Sequence, residues 1–595
     1  MLNFKHTILL LFALAGTLCS CSPNRPGETD FVVLYTEGLY NYVFPYNFKT
    51  GEYHDSQANF MTLVRQQRDI YQDHCLVFDG GNRLMGSLPS RYTLYVDSLS
   101  EPVSFKADRI VGYDATGIGG TDLENDVLLS AQRWNPEIQA PVVCANLLNR
   151  KNGQPLFKPY VILERDGVRI AVLAMTSPSE TKWLAPGLWK RVEVQDMIEC
   201  AQQWMPAIKA EKPDLIIGMF NCNMNYEDRN EDIDSYKNPN GGIPAAIRVP
   251  GFDLLLLGNT PKNEVRTIVD DEGRHVTCMT VGEAAHFCGY VRIHMSKQFD
   301  GSYQKRIFAS VPEITQYEPD REFMEQLRPE FNEIYRWMHT PVGYLNDTII
   351  GWEGFYGADR YRELINKVQM WYVPEADISM SSCSMGKDTI FPGPVTPFVV
   401  QKLYPFENTL RTIYMTGDDV VRMLEWVVNL QFETMTSADS EMLRLHRDQK
   451  GHLLYDDDGM PRLENQPAYF SSIRGIRYQV DLSKNFGSRV KVLSMSDGSP
   501  FVPNKQYLMA LNSHLSLGGG GLFRDGLGWD EEIMSLHIKP RQQKSIRFVM
   551  LDYLQAMSSD TVYAEKGDNW EILPAAWYKK ACADRVDNEE NLPRW

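Results

Sequence analysis

The sequence predicts an α/β protein of two domains, and three observations carry that expectation. Between Phe31 and about Met295, short apolar runs without polar alternation recur: Phe31–Tyr35, Leu76–Phe78, Val142–Leu147, Ile170–Met175, Leu215–Phe220 and Leu254–Leu257. Strands of that kind are buried on both faces, which requires a sheet covered by helices. Helical spacing appears between them, as in Met197–Glu211, where Ile198, Ala201, Met205 and Ile208 share one face and Pro206 interrupts the middle. Finally, 595 residues, 43% hydrophobic and 23% charged, are globular in composition and too many for one core.

At the start, the apolar run Ile8–Leu18 follows Lys5 and His6. It is too short to span a bilayer and reads as a secretory signal peptide over residues 1–20. Leu18-Cys19-Ser20-Cys21 resembles the bacterial lipobox, so Cys21 is the expected lipid anchor and residues 21–30 a tether. Several acyl groups on one cysteine anchor durably. The expected location is the outer membrane, facing the periplasm or the exterior, with the lipid as the membrane contact. Cys75, Cys144, Cys200, Cys222, Cys278, Cys288, Cys383 and Cys582 form no CxxC pair, and most sit in apolar runs as small hydrophobes. No disulfide framework is expected. Sixty Lys+Arg against 77 Asp+Glu give a net charge of −17. An acidic surface repels phosphate backbones, so nucleic acid is excluded as a partner.

The first domain is expected over residues 31–310. Residues 311–341 read as a linker whose helix, Arg321–Met338, spaces Phe323, Leu327, Phe331, Ile334 and Tyr335 by three and four, with Pro329 as a kink. The second domain is expected over 342–573, and 574–595 as a tail. Ser437–Pro467 is polar and reads as a surface insertion. Its Asp456-Asp457-Asp458-Gly459 does not fit a calcium loop, because the first ligand would fall on Leu454 and the closing acid on Asn465. A solvated turn is expected there.

In the second half stand Tyr404-Pro405-Phe406-Glu407-Asn408-Thr409-Leu410, Met415-Thr416-Gly417, Arg474-Gly475-Ile476-Arg477-Tyr478, and Asn512-Ser513 before Gly518-Gly519-Gly520-Gly521. The first half carries Gly112-Tyr113-Asp114-Ala115, Ala145-Asn146, Lys158-Pro159-Tyr160 and Pro250-Gly251-Phe252-Asp253. In order and spacing these resemble the two-domain bacterial 5′-nucleotidases. The resemblance implies an N-terminal calcineurin-like metallophosphatase domain with α/β/β/α layers and two metals, and a C-terminal α/β domain that holds the nucleotide. Metallophosphatases activate a water between two divalent cations held by Asp, Asn and His.

Those ligands are missing at the matching positions. Where the family has Thr-Asn-Asp-Leu-His-Gly, this chain reads Thr36-Glu37-Gly38-Leu39-Tyr40-Asn41. Gly-Asp has become Gly81-Asn82, and Gly-Asn-His-Glu has become Gly119-Gly120-Thr121-Asp122. A ligating His after Ile216-Ile217 is replaced by Phe220 or Asn221, and Gly-His-Thr-His reads Gly258-Asn259-Thr260-Pro261. Gly38, Tyr40, Asn82, Gly120, Thr121, Asn259 and Pro261 therefore mark a degenerate metal motif. Glu37, Asp79 and Asp122 lie beside it, but a one-residue shift along a strand turns a side chain to the other face. Neither metal nor cofactor is expected, and the histidines, His286 and His294 included, show no metal-binding spacing.

The resemblance also implies a nucleotide pocket, of which Lys387, Phe406, Asn408, His514 and Gly519 are the remnants. Phe406 and Asn408 match one base-stacking motif, and His514 stands at the second aromatic position. Lys387 takes the place of an Arg, keeping the charge and losing the bidentate fork.

Three readings follow. The first is a non-catalytic envelope lipoprotein that keeps the scaffold as a binding or assembly module, an accessory to an outer-membrane complex, with a protein partner in the envelope. The second is a metal-dependent nucleotidase or phosphoesterase with displaced ligands. The third is a nucleotide-binding protein without turnover.

Overall fold

A computed structural model describes residues 27–589 apart from 49, 85, 87–89, 91, 93–95, 97–100, 124–139, 180–190, 225–240, 407, 457–460, 540–543 and 558–560. Cys21, the signal peptide and most of the tether lie outside the described residues.

The first domain is built on two stacked sheets. Strands β1 (Glu28–Thr36), β2 (Cys75–Asp79) and β3 (Ala115–Thr116) run parallel, with α1 (Gln57–Tyr71) and α2 (Val103–Val111) as connections. The second sheet holds β4 (Tyr160–Arg165), β5 (Val168–Thr176), then α3 (Met197–Ala210), β6 (Leu215–Asn221), α4 (Gly242–Arg248) and β7 (Leu254–Leu257). Two further strands, β8 (Asn263–Val269) and β9 (His275–Val281), antiparallel to each other and with β9 parallel to β7, complete it in the order β8-β9-β7-β6-β5-β4. The chain then returns to the first sheet through β10 (Gly289–Lys297) and β11 (Tyr303–Ser310), giving β11-β10-β1-β2-β3.

Strand alternation sorts the core into layers. Phe31, Val33 and Tyr35 of β1 meet Ile170, Val172 and Ala174 of β5 and Ile217 and Met219 of β6 between the sheets. Val32 and Leu34 face outward, onto Phe60, Leu63 and Val64 of α1. On the far side, α3 and α4 pack Ile198, Ala201, Met205 and Ala245 against the second sheet. These are the expected α/β/β/α layers.

The helix expected over Met197–Glu211 forms, and one expected strand changes. Helix α3 continues through Pro206, because its N-terminus is capped by Asp196, which accepts from Ile198 and Glu199 N–H at 2.9 and 3.0 Å, and its apolar face is buried. Val142–Leu147 is buried, but residues 142–146 form no ladder, and only Leu147 opens a short strand paired with Val192–Val194. The segment steps between the sheets, Val143 N–H donating to Thr116 in one and Ala145 N–H to Ala174 in the other.

The linker helix divides into α5 (Arg321–Gln326) and α6 (Arg328–His339). Pro329 falls in the first turn of α6, where its missing N–H costs nothing, so it starts a helix and does not kink one. The second domain holds α7 (Arg360–Tyr372), β12 (Ile378–Ser382), α8 (Pro397–Leu403), β13 (Leu410–Thr416), α9 (Gly417–Gln431), β14 (Ser471–Arg474), β15 (Ile476–Asp481), β16 (Val490–Met495), β17 (Gln506–Asn512), β18 (Ile538–Lys539), α10 (Ile546–Ala556) and β19 (Trp570–Leu573). Its main sheet has the order β14-β12-β17-β13-β18, and a smaller one β16-β15-β19. Within 437–467, Met442, Leu443 and Leu445 reach the core of this domain, so the segment is anchored as well as polar. Residues 574–595 begin as α11 (Ala575–Glu589), which lays Trp577 and Tyr578 on the same core.

One apolar cluster joins the domains. It runs from Val32 and Phe60 through Phe323, Leu327, Ile334 and Met338 to Tyr361, Tyr404 and Phe548. The rings of α6 bridge both sides, Phe331 meeting Phe44 at 5.0 Å and Trp337 stacking on Phe548 at 6.3 Å. Phe323 is fully buried there, and Phe323→Ala is expected to cost about 3–5 kcal/mol. Because the cluster is shared, urea unfolding of this variant should shift as one transition for both domains. Separate transitions would show that the domains are independently stable.

Candidate functional site

The degenerate motif residues converge at the carboxyl ends of the parallel strands, where open α/β sheets place their sites. Glu37 follows β1, Asn82 follows β2, Asn221 ends β6 and Asn259 follows β7. Glu37 is 2% exposed. Its Oε1 accepts from Asn82 Nδ2 at 3.0 Å and from Asn221 Nδ2 at 2.8 Å, and the Asn259 main-chain N–H also bonds this carboxyl. The carboxyl lies so close to β7 that a Cβ on Gly258 would stand 2.3 Å from Glu37 Cδ.

The amide orientations are fixed by groups that cannot swap roles. Asn82 Oδ1 accepts from Thr121 N–H and Oγ1, each at 3.0 Å. A main-chain N–H only donates, so the Asn82 NH₂ must face Glu37. Asn221 Nδ2 also approaches the Gly80 carbonyl at 3.4 Å, which orients its NH₂ in the same way. The interior of the cleft therefore presents amide hydrogens around one carboxylate.

The neighbouring acids are committed elsewhere. Asp122 accepts four main-chain N–H groups, those of Asn82, Gly119, Arg83 and Leu84, at 2.7–3.0 Å. Asp79 accepts from Thr36 Oγ1 at 2.7 Å and Gly81 N–H at 2.9 Å. Arg83, 1% exposed, sets its guanidinium 3.3 Å from Asp79 and 2.6 Å from Asp108. Burial pushes Asp79 up to about 8 despite Arg83. Burial likewise raises Glu37 well above the carboxylate range, outweighing the Asn259 N–H and the Asn82 amide. For Arg83 burial acts downward, but Asp108 and Asp79 raise it above its usual value.

The remaining motif positions are structural. Gly38 N–H donates to Gly81 O at 3.0 Å and Tyr40 N–H to Asn82 O at 2.9 Å. The Tyr40 side chain hydrogen-bonds Glu283. Gly120 belongs to the turn that carries Thr121, and Pro261 is exposed. Asn82 and Asn259 hold φ of 57° and 54°, a region that asparagine tolerates better than most residues.

This donor set does not fit the two dications that the resemblance implies. Adjacent dications require anionic or imidazole ligands with lone pairs turned inward. Here two NH₂ groups point inward, and Asp79 and Asp122 are held by Arg83 and by main-chain N–H. Among the described residues, no three His, Cys, Asp or Glu side chains converge on a metal-binding arrangement.

In the second domain, the structure brings His514 and Gly519 together: a Cβ on Gly519 would meet His514 Nε2 at 2.4 Å. Tyr469 lies parallel to His514, with centroids 6.1 Å apart and planes 10° from each other. Burial lowers His514. Asn408 accepts from Ser513 Oγ at 3.2 Å and donates to Tyr404 at 3.3 Å. Phe406 is 46% exposed. Lys387 turns to the 437–467 segment, where it pairs with Asp456. The rest of the expected turn, 457–459, lies outside the described residues. Arg83, Asp108 and Tyr469 are not singled out by sequence reasoning. An arginine next to a motif asparagine is the only trace of the first.

Residues 348–525 match the family described as 5′-nucleotidase, C-terminal domain. Over most of its length the chain is similar to a 2′,3′-cyclic-nucleotide 2′-phosphodiesterase/3′-nucleotidase of Haemophilus influenzae, 20% identical over 96% of this chain and 92% of that one. It is also similar to Protein UshA of Yersinia enterocolitica, 24% identical over 83% and 86%. In fold it is similar to a putative 5′-nucleotidase from Staphylococcus aureus crystallised with alpha-ketoglutarate, with a TM-score of 0.66, 15% identity, and coverage of 91% and 100%. A NAD nucleotidase from Haemophilus influenzae aligns with a TM-score of 0.55, 17% identity, and coverage of 92% and 99%. With its layered first domain and a second domain that matches the 5′-nucleotidase C-terminal domain over residues 348–525, the chain is similar in sequence and in fold to the two-domain 5′-nucleotidases.

Proposed function

We propose that this chain is a non-catalytic member of its family, an envelope lipoprotein whose scaffold serves as a binding or assembly module for a protein partner in an outer-membrane complex. The observation that carries this reading is the inward orientation of the Asn82 and Asn221 amides onto Glu37. Hydrolysis in this family's manner needs a metal-activated water, and a centre filled by one carboxylate and its amide donors offers no place to generate it. A scaffold can outlive its chemistry because packing and site are separable. The lipid anchor on Cys21 is supported by its position after the apolar run. Pull-down from detergent-solubilised envelopes tests the module: a stoichiometric envelope partner is expected, and its absence counts against the reading.

Purified protein supplied with Mn²⁺, Zn²⁺ or Fe²⁺ is expected to hydrolyse neither 5′-nucleotides nor a nitrophenyl phosphodiester above background. Two tightly held cations per chain together with turnover would overturn the proposal.

A centre of this kind also has a pH signature. The native pKa values of Glu37 and Asp79 lie above the unfolded ones, 4.5 and 3.8. The native state therefore keeps protons that the unfolded chain releases. Their contribution to stability is complete below about pH 4 and declines with rising pH, for Asp79 until about pH 8. Glu37→Gln keeps the accepting oxygen and removes the charge. It should match the parent at pH 5 and exceed it by about 1–3 kcal/mol at pH 8, measured by denaturant unfolding. An equal difference at both pH values would show that Glu37 carries no titrating charge cost.

A further inference from the structure

Outside the Glu37 centre, two histidines meet on one aspartate. His54 precedes α1 and His286 precedes β10, and 231 residues separate His286 from Asp55. His54 Nδ1 donates to the Asp55 main-chain carbonyl at 2.5 Å. His286 Nδ1 donates to Asp55 Oδ2 at 3.0 Å. A carbonyl can only accept, so the His54 tautomer is fixed, and the carboxylate fixes that of His286. Both rings thus keep their Nε2 lone pairs.

A carbonyl or carboxylate on one ring nitrogen is the arrangement that orients metal-bound imidazoles. The two rings lie 4.6 Å apart, centroid to centroid. A tetrahedral ion with bonds of about 2.0–2.1 Å separates its nitrogens by about 3.3 Å, a spacing within reach of rings at that distance. His54 is held in place by Tyr42, stacked at 4.2 Å and 16°. Asp55 is 3% exposed, and its Oδ1 has no hydrogen-bond partner. The His286 side chain is 51% exposed, so an ion enters from solvent.

We infer that His54 and His286 form a binding site for one transition-metal ion of the zinc, copper or nickel type, with Asp55 as the positioning residue. No third side chain among the described His, Cys, Asp and Glu joins them, so water or an external ligand completes the shell. Two imidazole donors suit these metals and not Mg²⁺ or Ca²⁺, which take oxygen ligands.

The experiment uses untagged full-length protein stripped with a chelator, then titrated calorimetrically with Zn²⁺ and with Mg²⁺. One Zn²⁺ per chain with a raised melting temperature, and no saturable Mg²⁺ binding, is expected. His286→Gln, whose amide can still donate to Asp55, should weaken Zn²⁺ binding at least tenfold. Asp55→Asn should weaken it about 10–100-fold with both histidines present. Failure of Zn²⁺ to bind, or equal binding by His286→Gln, overturns the inference. Two ions per chain that persist in His286→Gln would instead place metal at the Glu37 centre and overturn the proposed function as well.

Discussion

The buried guanidinium of Arg83, set between Asp79 and Asp108, is the interaction on which the first domain's cleft depends. A guanidinium removed from water would be prohibitive alone, and removing one partner of such a group leaves the others uncompensated. Arg83 ties the end of β2 to α2, and it supplies positive charge from within the chain to acids that line the strand ends. A cation that is part of the polypeptide is not lost to a chelator and does not exchange with solvent. With Asp79 and Asp108 answered by Arg83 and Asp122 by four N–H groups, Glu37 is the acid left facing the cleft, and two amides meet it.

On the proposed reading, that arrangement explains how the scaffold stands without a dinuclear metal centre. The stacked sheets bury Phe31, Val33, Ile170, Val172 and Ile217 whatever stands at the strand ends. The turns persist because their geometry does: Gly81 holds φ at 111°, and a Cβ there would come 2.3 Å from Gly119 N. Changing Asp to Asn after Gly81, and His to Asn after Gly258, keeps side chains that accept left-handed backbone while exchanging charge for amides. At Asn82 polar satisfaction is preserved, since a buried amide with both ends bonded costs little.

How much of this was legible in the sequence follows from range. Apolar runs and helical spacing are local, so the layers of the first domain, the linker helix and the second α/β domain are readable from residues within a few positions of each other. The exceptions are also physical. Pro206 interrupts α3 only on paper, because tertiary burial and the Asp196 cap outweigh one missing hydrogen bond. Val142–Leu147 has the composition of a strand but is buried by stepping between sheets. At the site, sequence motifs place Asn82 and Asn259 correctly at strand ends. They cannot show that Arg83 reaches Asp108, that Tyr469 lies along His514, or that His54 meets His286, because those contacts join segments 25 to more than 200 residues apart.

The shared apolar cluster bears on the proposed role as a binding module. Hinged domains adapt to ligands by moving, and spend interaction energy on the change. Here Phe44, Phe331, Trp337 and Phe548 form an aromatic path from the first domain across α6 into the second. Rotating one domain against the other would expose these rings to water, a cost that grows with the apolar area uncovered. The two halves are therefore held in one fixed relation. Preorganisation of that kind lowers the entropy lost on association, which favours a scaffold whose task is to be recognised as a shape over one whose task is to close upon a substrate.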